Sequence, residues 1–191
     1  MKRHGSINAL GVLAVGLVVG AAVSAQDRLA VKSPNGIAFS EFKDYESWPV
    51  IAPSQPDDPG GCGESKDGCI KAIVGNATMI KAYNDGFPGN GKTVPDGAEM
   101  AKIEWHRRSV PGPPYGITAP GTLAGISFMI KDSKRFSDTN GWGYVTFLYD
   151  AGTASFKPST NDPAVMRTSC HSCHTRFMKA RDYVFTNYAK R

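Results

Sequence analysis

Two cysteines and a histidine near the end of the chain form its most chemically capable arrangement. The segment reads Cys170-His171-Ser172-Cys173-His174, so the second cysteine follows the first by three positions and precedes a histidine. This C-x-x-C-H spacing attaches a c-type haem. On a helical turn Cys170 and His174 share a face, so two thiols can bond the haem vinyl groups while the imidazole reaches the iron. The spacing predicts one covalently bound haem c, with His174 as the iron ligand.

The same segment has other interpretations. It could be a redox dithiol or a structural disulfide that happens to precede a histidine. The thioredoxin type of dithiol expects a βαβ pattern around the cysteines, and the sequence shows none there. A zinc site needs a second Cys/His pair at finger spacing, which the sequence also lacks.

The N-terminal residues resemble an export signal. Lys2 and Arg3 precede an apolar run that ends in Val23-Ser24-Ala25, small residues typical of a cleavage site. We predict a signal peptide over residues 1–25 and one domain over residues 26–191, exported to the periplasm with no membrane attachment. An uncleaved anchor is the alternative, although the run is short for a spanning helix of about 20 residues.

Cys62 and Cys69 bracket a polar loop, and in an oxidising compartment a local disulfide between them is expected. Free thiols or a metal loop are the alternatives. The formal net charge is +5, of which Lys2 and Arg3 carry two. No basic stripe alternates with aromatic residues, so a nucleic-acid partner is not predicted.

Hydrophobic periodicity indicates an α+β fold: a mainly antiparallel β-sheet with flanking helices, the haem motif lying on a C-terminal helical segment. Residues 53–68, rich in Pro, Gly and Asp, predict a long loop. Ser40 and Asn76 are the predicted helix caps. The predicted helices cover 40–48, 78–84 and the chain from 163; the predicted strands cover 70–74, 98–106, 122–130 and 143–149.

No residue stands out as a second axial ligand of the iron. Met178 is too close to His174 to reach the opposite haem face, and His171 is expected to be turned outward within the motif. His106 ends a strand beside two arginines, where solvation or a propionate contact is expected. The remaining methionines are more typical of a core. A five-coordinate iron, open to small molecules, favours ligand binding or catalysis over simple electron transfer.

The chain resembles the cytochrome P-460 family, which includes the cytochrome c′-beta proteins. The resemblance runs from about residue 39 to 191. It is carried by the Asp96-Gly97 turn leading to Lys102, the run Lys131-Asp132-Ser133-Lys134-Arg135-Phe136, Gly141-Trp142-Gly143, and the haem motif followed by Asp182-Tyr183-Val184-Phe185-Thr186. It implies a mainly antiparallel sheet with flanking helices and a homodimer.

The resemblance also implies roles for individual residues. In hydroxylamine-oxidising members a strand lysine bonds a meso carbon of the porphyrin, and Lys102 stands at the matching place. An exposed lysine, or one paired with a propionate, is the alternative. Those members carry a distal carboxylate four residues before the lysine matching Lys131, where this chain has Ser127. A hydroxyl is a poor base, so proton removal falls to Glu104, which shares a strand face with Lys102, or to water.

The neighbouring Phe128 could instead form the apolar distal cap of nitric-oxide-binding members. Three functions follow from these residues: oxidation of hydroxylamine, with electrons leaving to a soluble electron carrier; nitric oxide binding without turnover; or electron transfer with an unidentified sixth ligand. Four basic residues could contact the haem propionates or be solvated charges: Arg107, Arg108, Lys134 and Arg135.

Overall fold

A six-stranded antiparallel β-sheet forms the body of the protein. The computed structural model describes residues 28–58, 62 and 67–189. Strands that follow one another in sequence are neighbours in the sheet, in the order β1 to β6. Their bounds are Val50–Ser54 (β1), Cys69–Gly75 (β2), Glu99–Val110 (β3), Ile117–Lys131 (β4), Trp142–Asp150 (β5) and Ser155–Pro158 (β6). The predicted α+β class with a mainly antiparallel sheet is confirmed.

Strands β3 and β4 form a long central hairpin. The alternation that predicted a strand over 98–106 is confirmed, and the strand continues to Val110. Lys102 on β3 is paired with Ser127 on β4, and Ser127 is paired with Thr146 on β5. Cross-strand partners project from the same side of a sheet, so these three side chains lie side by side on one face.

Two edge strands depart from the sequence prediction. Strand β1 includes Pro53 and Ser54, which the Pro-rich pattern assigned to a loop. Proline cannot donate to a sheet hydrogen bond, but β1 is an edge strand and tolerates it. Strand β6 spans four residues and pairs with β5, and it is too short to show an alternation.

The N-terminal part of the chain forms tight turns instead of the helix predicted over 40–48. Two 3₁₀ turns, Phe39–Phe42 and Tyr45–Ser47, occupy this region. Ser40 is not the cap: the Glu41 carboxylate accepts the Ala38 N–H at 2.7 Å. A 3₁₀ turn places residues three apart on one side, which buries both Phe39 and Phe42.

Helix α1, Ala77–Asn84, begins as predicted. The Asn76 side chain accepts the Met79 N–H at 3.0 Å and satisfies a backbone donor of the first turn.

The C-terminal segment is helical from Pro163, as predicted, and carries the haem motif. It consists of α2 (Pro163–Val165), a π-helical turn (Met166–His171), α3 (Ser172–Met178) and a 3₁₀ turn (Lys179–Arg181). Asp182 and Tyr183 then adopt positive φ angles of 43° and 65°, which end the helical segment and reverse the chain.

The buried side chains form two clusters. The first joins the sheet to α1 and to the segment after the C-terminal helices; it includes Met79, Tyr83, Met100, Tyr144 and Val184. The second joins the sheet to the N-terminal turns; it includes Phe39, Phe42, Ile126, Phe128 and Phe147. The first cluster borders the cavity described below, so the packing on this side of the sheet determines its shape.

The predicted disulfide between Cys62 and Cys69 is confirmed, with a Cα–Cα distance of 5.4 Å. Across residues 28–58, 62 and 67–189, no helix is long and apolar enough to cross a bilayer. The predicted signal peptide over residues 1–25 lies outside the described residues.

Candidate functional site

A cavity of about 390 Å³ lies between the sheet and the C-terminal segment. One cross-strand row contributes a residue from each of β2 to β5: Ile73, Lys102, Ser127 and Thr146. The C-terminal side contributes Cys170, Cys173 and His174. The fold therefore brings the predicted Lys102 and Ser127 into the same cavity as the three residues of the haem motif.

No disulfide joins the two cysteines of the motif. Cys170 is half-buried and Cys173 is exposed. Cys170 lies at the end of the π-helical turn and Cys173 in α3, and both reach the cavity. Since they are not joined to each other, the structural-disulfide interpretation of this segment has no support in the structure.

The imidazole of His174 is held in one orientation by the backbone. Its Nδ1 lies 2.6 Å from the carbonyl oxygen of Tyr183, so Nδ1–H donates and the lone pair is left on Nε2. Burial lowers the pKa of His174, which favours the neutral ring. A neutral imidazole with one nitrogen hydrogen-bonded to a carbonyl is the usual state of a metal-ligating histidine.

These donors fit a covalently attached haem. Thiols can bond the two vinyl groups, and an imidazole is the common proximal ligand of haem iron. Much of the remaining lining is apolar, as an aromatic macrocycle requires; it includes Met100, Met129, Val184 and Phe185. Within the described parts of the chain, no group of three or more His, Cys, Asp or Glu side chains is arranged to hold a metal ion alone.

Lys102 is the cationic side chain on the sheet side of the cavity. Its side chain is half-buried at the cavity wall, and its Nζ lies 3.7 Å from the Glu104 carboxylate. Burial, together with repulsion from Lys71, lowers the pKa of Lys102 despite the nearby carboxylate. The amine therefore loses its proton more easily than an ordinary surface lysine.

Glu104 borders an adjoining cavity that shares Lys102, Ser127 and Thr146 with the first. Its carboxylate lies 3.3 Å from Lys71 Nζ, and the side chain is 15% exposed. Strand alternation correctly predicted that Glu104 and Lys102 share a face. The carboxylate is thus placed next to the main cavity and in contact with the lysine that borders it.

Ser127 and Phe128, adjacent on β4, have different surroundings. The Thr146 hydroxyl donates to Ser127 Oγ at 3.0 Å, inside the cavity wall. Phe128 also borders the cavity, but its ring is stacked on Phe42 at 4.1 Å and belongs to the second core cluster. The aromatic contacts of Phe128 are those of a core residue. Its role as an apolar distal cap stays a prediction.

His171 is not turned outward, and that prediction is wrong. The residue is buried; its Nδ1 lies 3.1 Å from the Tyr144 hydroxyl and its Nε2 lies 3.2 Å from Asn140 Oδ1. Both ring nitrogens have polar partners, so His171 is anchored in the fold. Its burial follows from the π-helical turn, which sequence periodicity does not reveal.

The basic residues suggested for propionate contacts do not border the cavity. Arg107 and Arg108 are exposed on the outer part of the central hairpin, as is His106. Arg135 is paired with Glu41, and Lys134 is exposed in the turn after β4. These surroundings favour the alternative interpretation, that the four residues are surface charges or members of structural ion pairs. A contact with the haem propionates stays a prediction.

Sequence reasoning did not find two residues that support the site. The Tyr144 hydroxyl contacts His171, and the centroid of the Tyr144 ring lies 4.9 Å from that of the His174 ring. Tyr183 provides the backbone carbonyl that orients His174. The β5 alternation with Thr146 could have indicated Tyr144. A backbone carbonyl after a positive-φ turn leaves no signal in the sequence.

The chain matches the family model described as Cytochrome P460 over residues 42–186. No curated protein matches it. The family match includes both the cavity-facing strands and the haem motif, and it agrees with the donor set of the cavity. The chain therefore belongs to the cytochrome P460 family of haem proteins.

Proposed function

We propose that the protein is a periplasmic c-type cytochrome with one haem, whose iron would be held by His174 and would remain open to a small ligand. Cys170 and Cys173 hold the porphyrin by thioether bonds, each formed by adding S–H across one vinyl group. His174 is the proximal ligand, oriented by the Tyr183 carbonyl at 2.6 Å. The main supporting observation is that Lys102, from the sheet, borders the same cavity as these three residues.

The proposed reaction is the oxidation of hydroxylamine. When bound, the haem supplies a metal centre that coordinates a small nitrogen compound and accepts its electrons. One hydroxylamine and one nitric oxide give one nitrous oxide, one water, one proton and one electron. The electron leaves to a soluble electron carrier, and the proton requires an acceptor near the cavity.

Glu104 is the proposed proton acceptor. Its carboxylate contacts Lys102 and borders the adjoining cavity, whose wall it shares with Ser127 and Thr146. Ser127 already accepts a hydrogen bond from Thr146, so its own hydroxyl proton is directed elsewhere and can be donated to a small ligand. Glu104 would thus accept the proton and Ser127 would donate a hydrogen bond to the ligand. A single distal carboxylate would otherwise perform these polar roles.

Lys102 is proposed to form the second covalent link to the porphyrin. A bond from Nζ to a meso carbon replaces one N–H and one C–H, releasing two protons and two electrons. A peroxide is the class of oxidant that accepts both, giving two waters. The lowered pKa of Lys102, caused first by burial, favours the neutral amine that this bond formation needs.

Nitric oxide binding without turnover is the alternative function. Two observations favour it: Ser127 is a weak base, and apolar side chains such as Met100, Met129 and Val184 line much of the cavity. A haem held in such a cavity would bind a small, uncharged and weakly polar ligand such as nitric oxide. The homodimer implied by the family is part of both proposals.

The two functions are separated by turnover. The holoprotein is mixed with hydroxylamine and an artificial electron acceptor, and acceptor reduction and nitrous oxide are followed together. Sustained reduction with nitrous oxide formation supports the oxidase. Stoichiometric nitric oxide binding with no acceptor reduction supports the alternative.

A further inference from the structure

We infer that the buried ion pair between Lys131 and Asp182 positions the imidazole of His174, acting through the carbonyl of Tyr183. This inference rests on the proposed role of His174 as the iron ligand. Lys131 and Asp182 are therefore positioning residues, and neither borders the cavity that holds the motif.

The ion pair is well enclosed and multiply bonded. Lys131 Nζ lies 3.1 Å from both carboxylate oxygens of Asp182, and the two side chains are 7% and 8% exposed. Asp182 also accepts the Val94 N–H at 2.8 Å, and Lys131 donates to the Asn140 carbonyl at 3.0 Å. The Lys131 ammonium lies 4.9 Å from the Trp142 ring centroid. These contacts compensate the desolvation of both charges and attach residue 182 to β4.

The attachment holds a backbone conformation that the chain would otherwise avoid. Asp182 and Tyr183 have φ angles of 43° and 65°, a left-handed region that non-glycine residues adopt only where surrounding structure holds them. This two-residue turn directs the Tyr183 carbonyl to His174 Nδ1 at 2.6 Å. Without the carboxylate contacts, the turn keeps its backbone hydrogen bonds but loses the side-chain bonds that tie Asp182 to Lys131 and Val94.

The same lysine supports the motif from a second side. The Asn140 carbonyl accepts from Lys131, while the Asn140 side chain contacts His171 Nε2. The centroids of the His171 and Tyr183 rings are 5.0 Å apart. Lys131 is therefore linked to the motif both through Asn140 and His171 and through Asp182 and Tyr183.

The expected effect is on the iron–imidazole bond. A hydrogen bond from Nδ1–H to a carbonyl fixes the ring and raises the basicity of Nε2, which strengthens its bond to a metal. Weakening that hydrogen bond lowers the iron–imidazole stretching frequency and raises the midpoint potential, because a poorer donor stabilises ferric iron less.

The test measures both quantities in the haem-loaded protein. Asp182→Asn leaves Lys131 buried without its counter-charge, so the double variant Lys131→Met/Asp182→Asn is made in parallel to keep the site neutral. We expect a downward shift of the iron–imidazole frequency in the ferrous resonance Raman spectrum, and a higher midpoint potential, in both variants.

Two controls separate positioning from general destabilisation. Lys81→Met/Asp85→Asn removes an exposed ion pair at the C-terminal end of α1. Ile37→Val shortens a side chain in the second core cluster, outside the motif, and lowers the free energy of unfolding. Neither control is expected to shift the frequency or the potential.

The outcomes distinguish this inference from the proposed function. Unshifted values in the double variant, with haem bound normally, overturn the inference alone. A wild type without haem, purified from a host that matures c-type cytochromes, overturns the proposed function. In that case ¹⁵N NMR of the His174 ring decides the inference: an unchanged Nδ1 signal in Asp182→Asn overturns it, and a loss of the hydrogen-bonded Nδ1–H supports it.

Discussion

Lys102 and Ser127 are direct cross-strand partners on β3 and β4, and both border the cavity that contains His174. This register matters because strand side chains alternate between faces. A slip by one residue would turn the side chain of Ile103 or Phe128 to the cavity face of the sheet and that of Lys102 to the opposite face. The two packed clusters, one on each side of these strands, make such a slip costly.

Lys102→Leu should restore an ordinary c-type absorption spectrum. If Lys102 is bonded to the porphyrin, the wild-type ferrous band is shifted to the red and broadened, and removing the amine abolishes that shift. Absorption spectra of the ferric and ferrous proteins check this.

Lys71→Met is the matched control for that change. Lys71 also pairs with Glu104, at 3.3 Å, but it does not border the main cavity. The control should keep the wild-type spectrum, because burial, the largest cause of the lowered Lys102 pKa, is unchanged. An ordinary c-type spectrum in the wild type itself would contradict the cross-link.

Glu104→Gln should lower the turnover of hydroxylamine while leaving haem attachment intact. The amide keeps the shape of the side chain but cannot accept a proton, and losing a positioned general base costs about 10²–10⁴-fold in rate. Glu99→Gln, on the same strand, should retain wild-type turnover. Equal rates in wild type and Glu104→Gln would show that water or another group takes the proton.

Phe128→Ala should destabilise the fold without changing the ligand chemistry. The ring is 1% exposed, stacked on Phe42, and in edge contact with Phe39 and Tyr45. Truncating a buried phenylalanine costs about 3–5 kcal/mol in the free energy of unfolding. Denaturant unfolding checks the cost, and nitric oxide affinity checks the site. A small loss of stability with a large change in affinity would support the distal-cap role instead.

Glu41→Gln should lower the free energy of unfolding at neutral pH. It should also make that free energy depend less on pH in the acid range. Burial raises the pKa of Glu41, but hydrogen bonds from Arg135 and the Ala38 N–H outweigh it and hold the pKa below 4.5. The contribution is present above the unfolded value near 4.5 and is lost as the pH falls through the folded value. We expect a loss of about 1 kcal/mol at pH 7. Denaturant unfolding at a series of acid pH values checks this. If the free energy of unfolding falls equally steeply with pH in wild type and variant, the prediction is contradicted.

The sequence was sufficient for the parts of the site that depend on spacing and alternation. C-x-x-C-H spacing identified Cys170, Cys173 and His174, which lie together at one cavity. Period-two alternation placed Lys102 and Glu104 on one face of β3, because a strand has a single way to alternate.

Features that depend on tertiary contacts could not be predicted in this way. His171 is buried because Tyr144 and Asn140, distant in sequence, supply its polar partners. Residues 40–48 form 3₁₀ turns because burial of Phe39 and Phe42 outweighs the helix-cap signal of Ser40. The proline in β1 is accepted only because that strand lies at the sheet edge, a fact of topology.

The absorption and spin-state spectra of the purified protein, ferric and ferrous, test the central claim most directly. The account predicts one haem that stays with the denatured chain, and a high-spin, five-coordinate ferrous iron bound through His174. A colourless protein from a host that matures c-type cytochromes would contradict it. So would a low-spin iron with a second protein ligand, for which the cavity-bordering Met100 and Met129 are the described candidates.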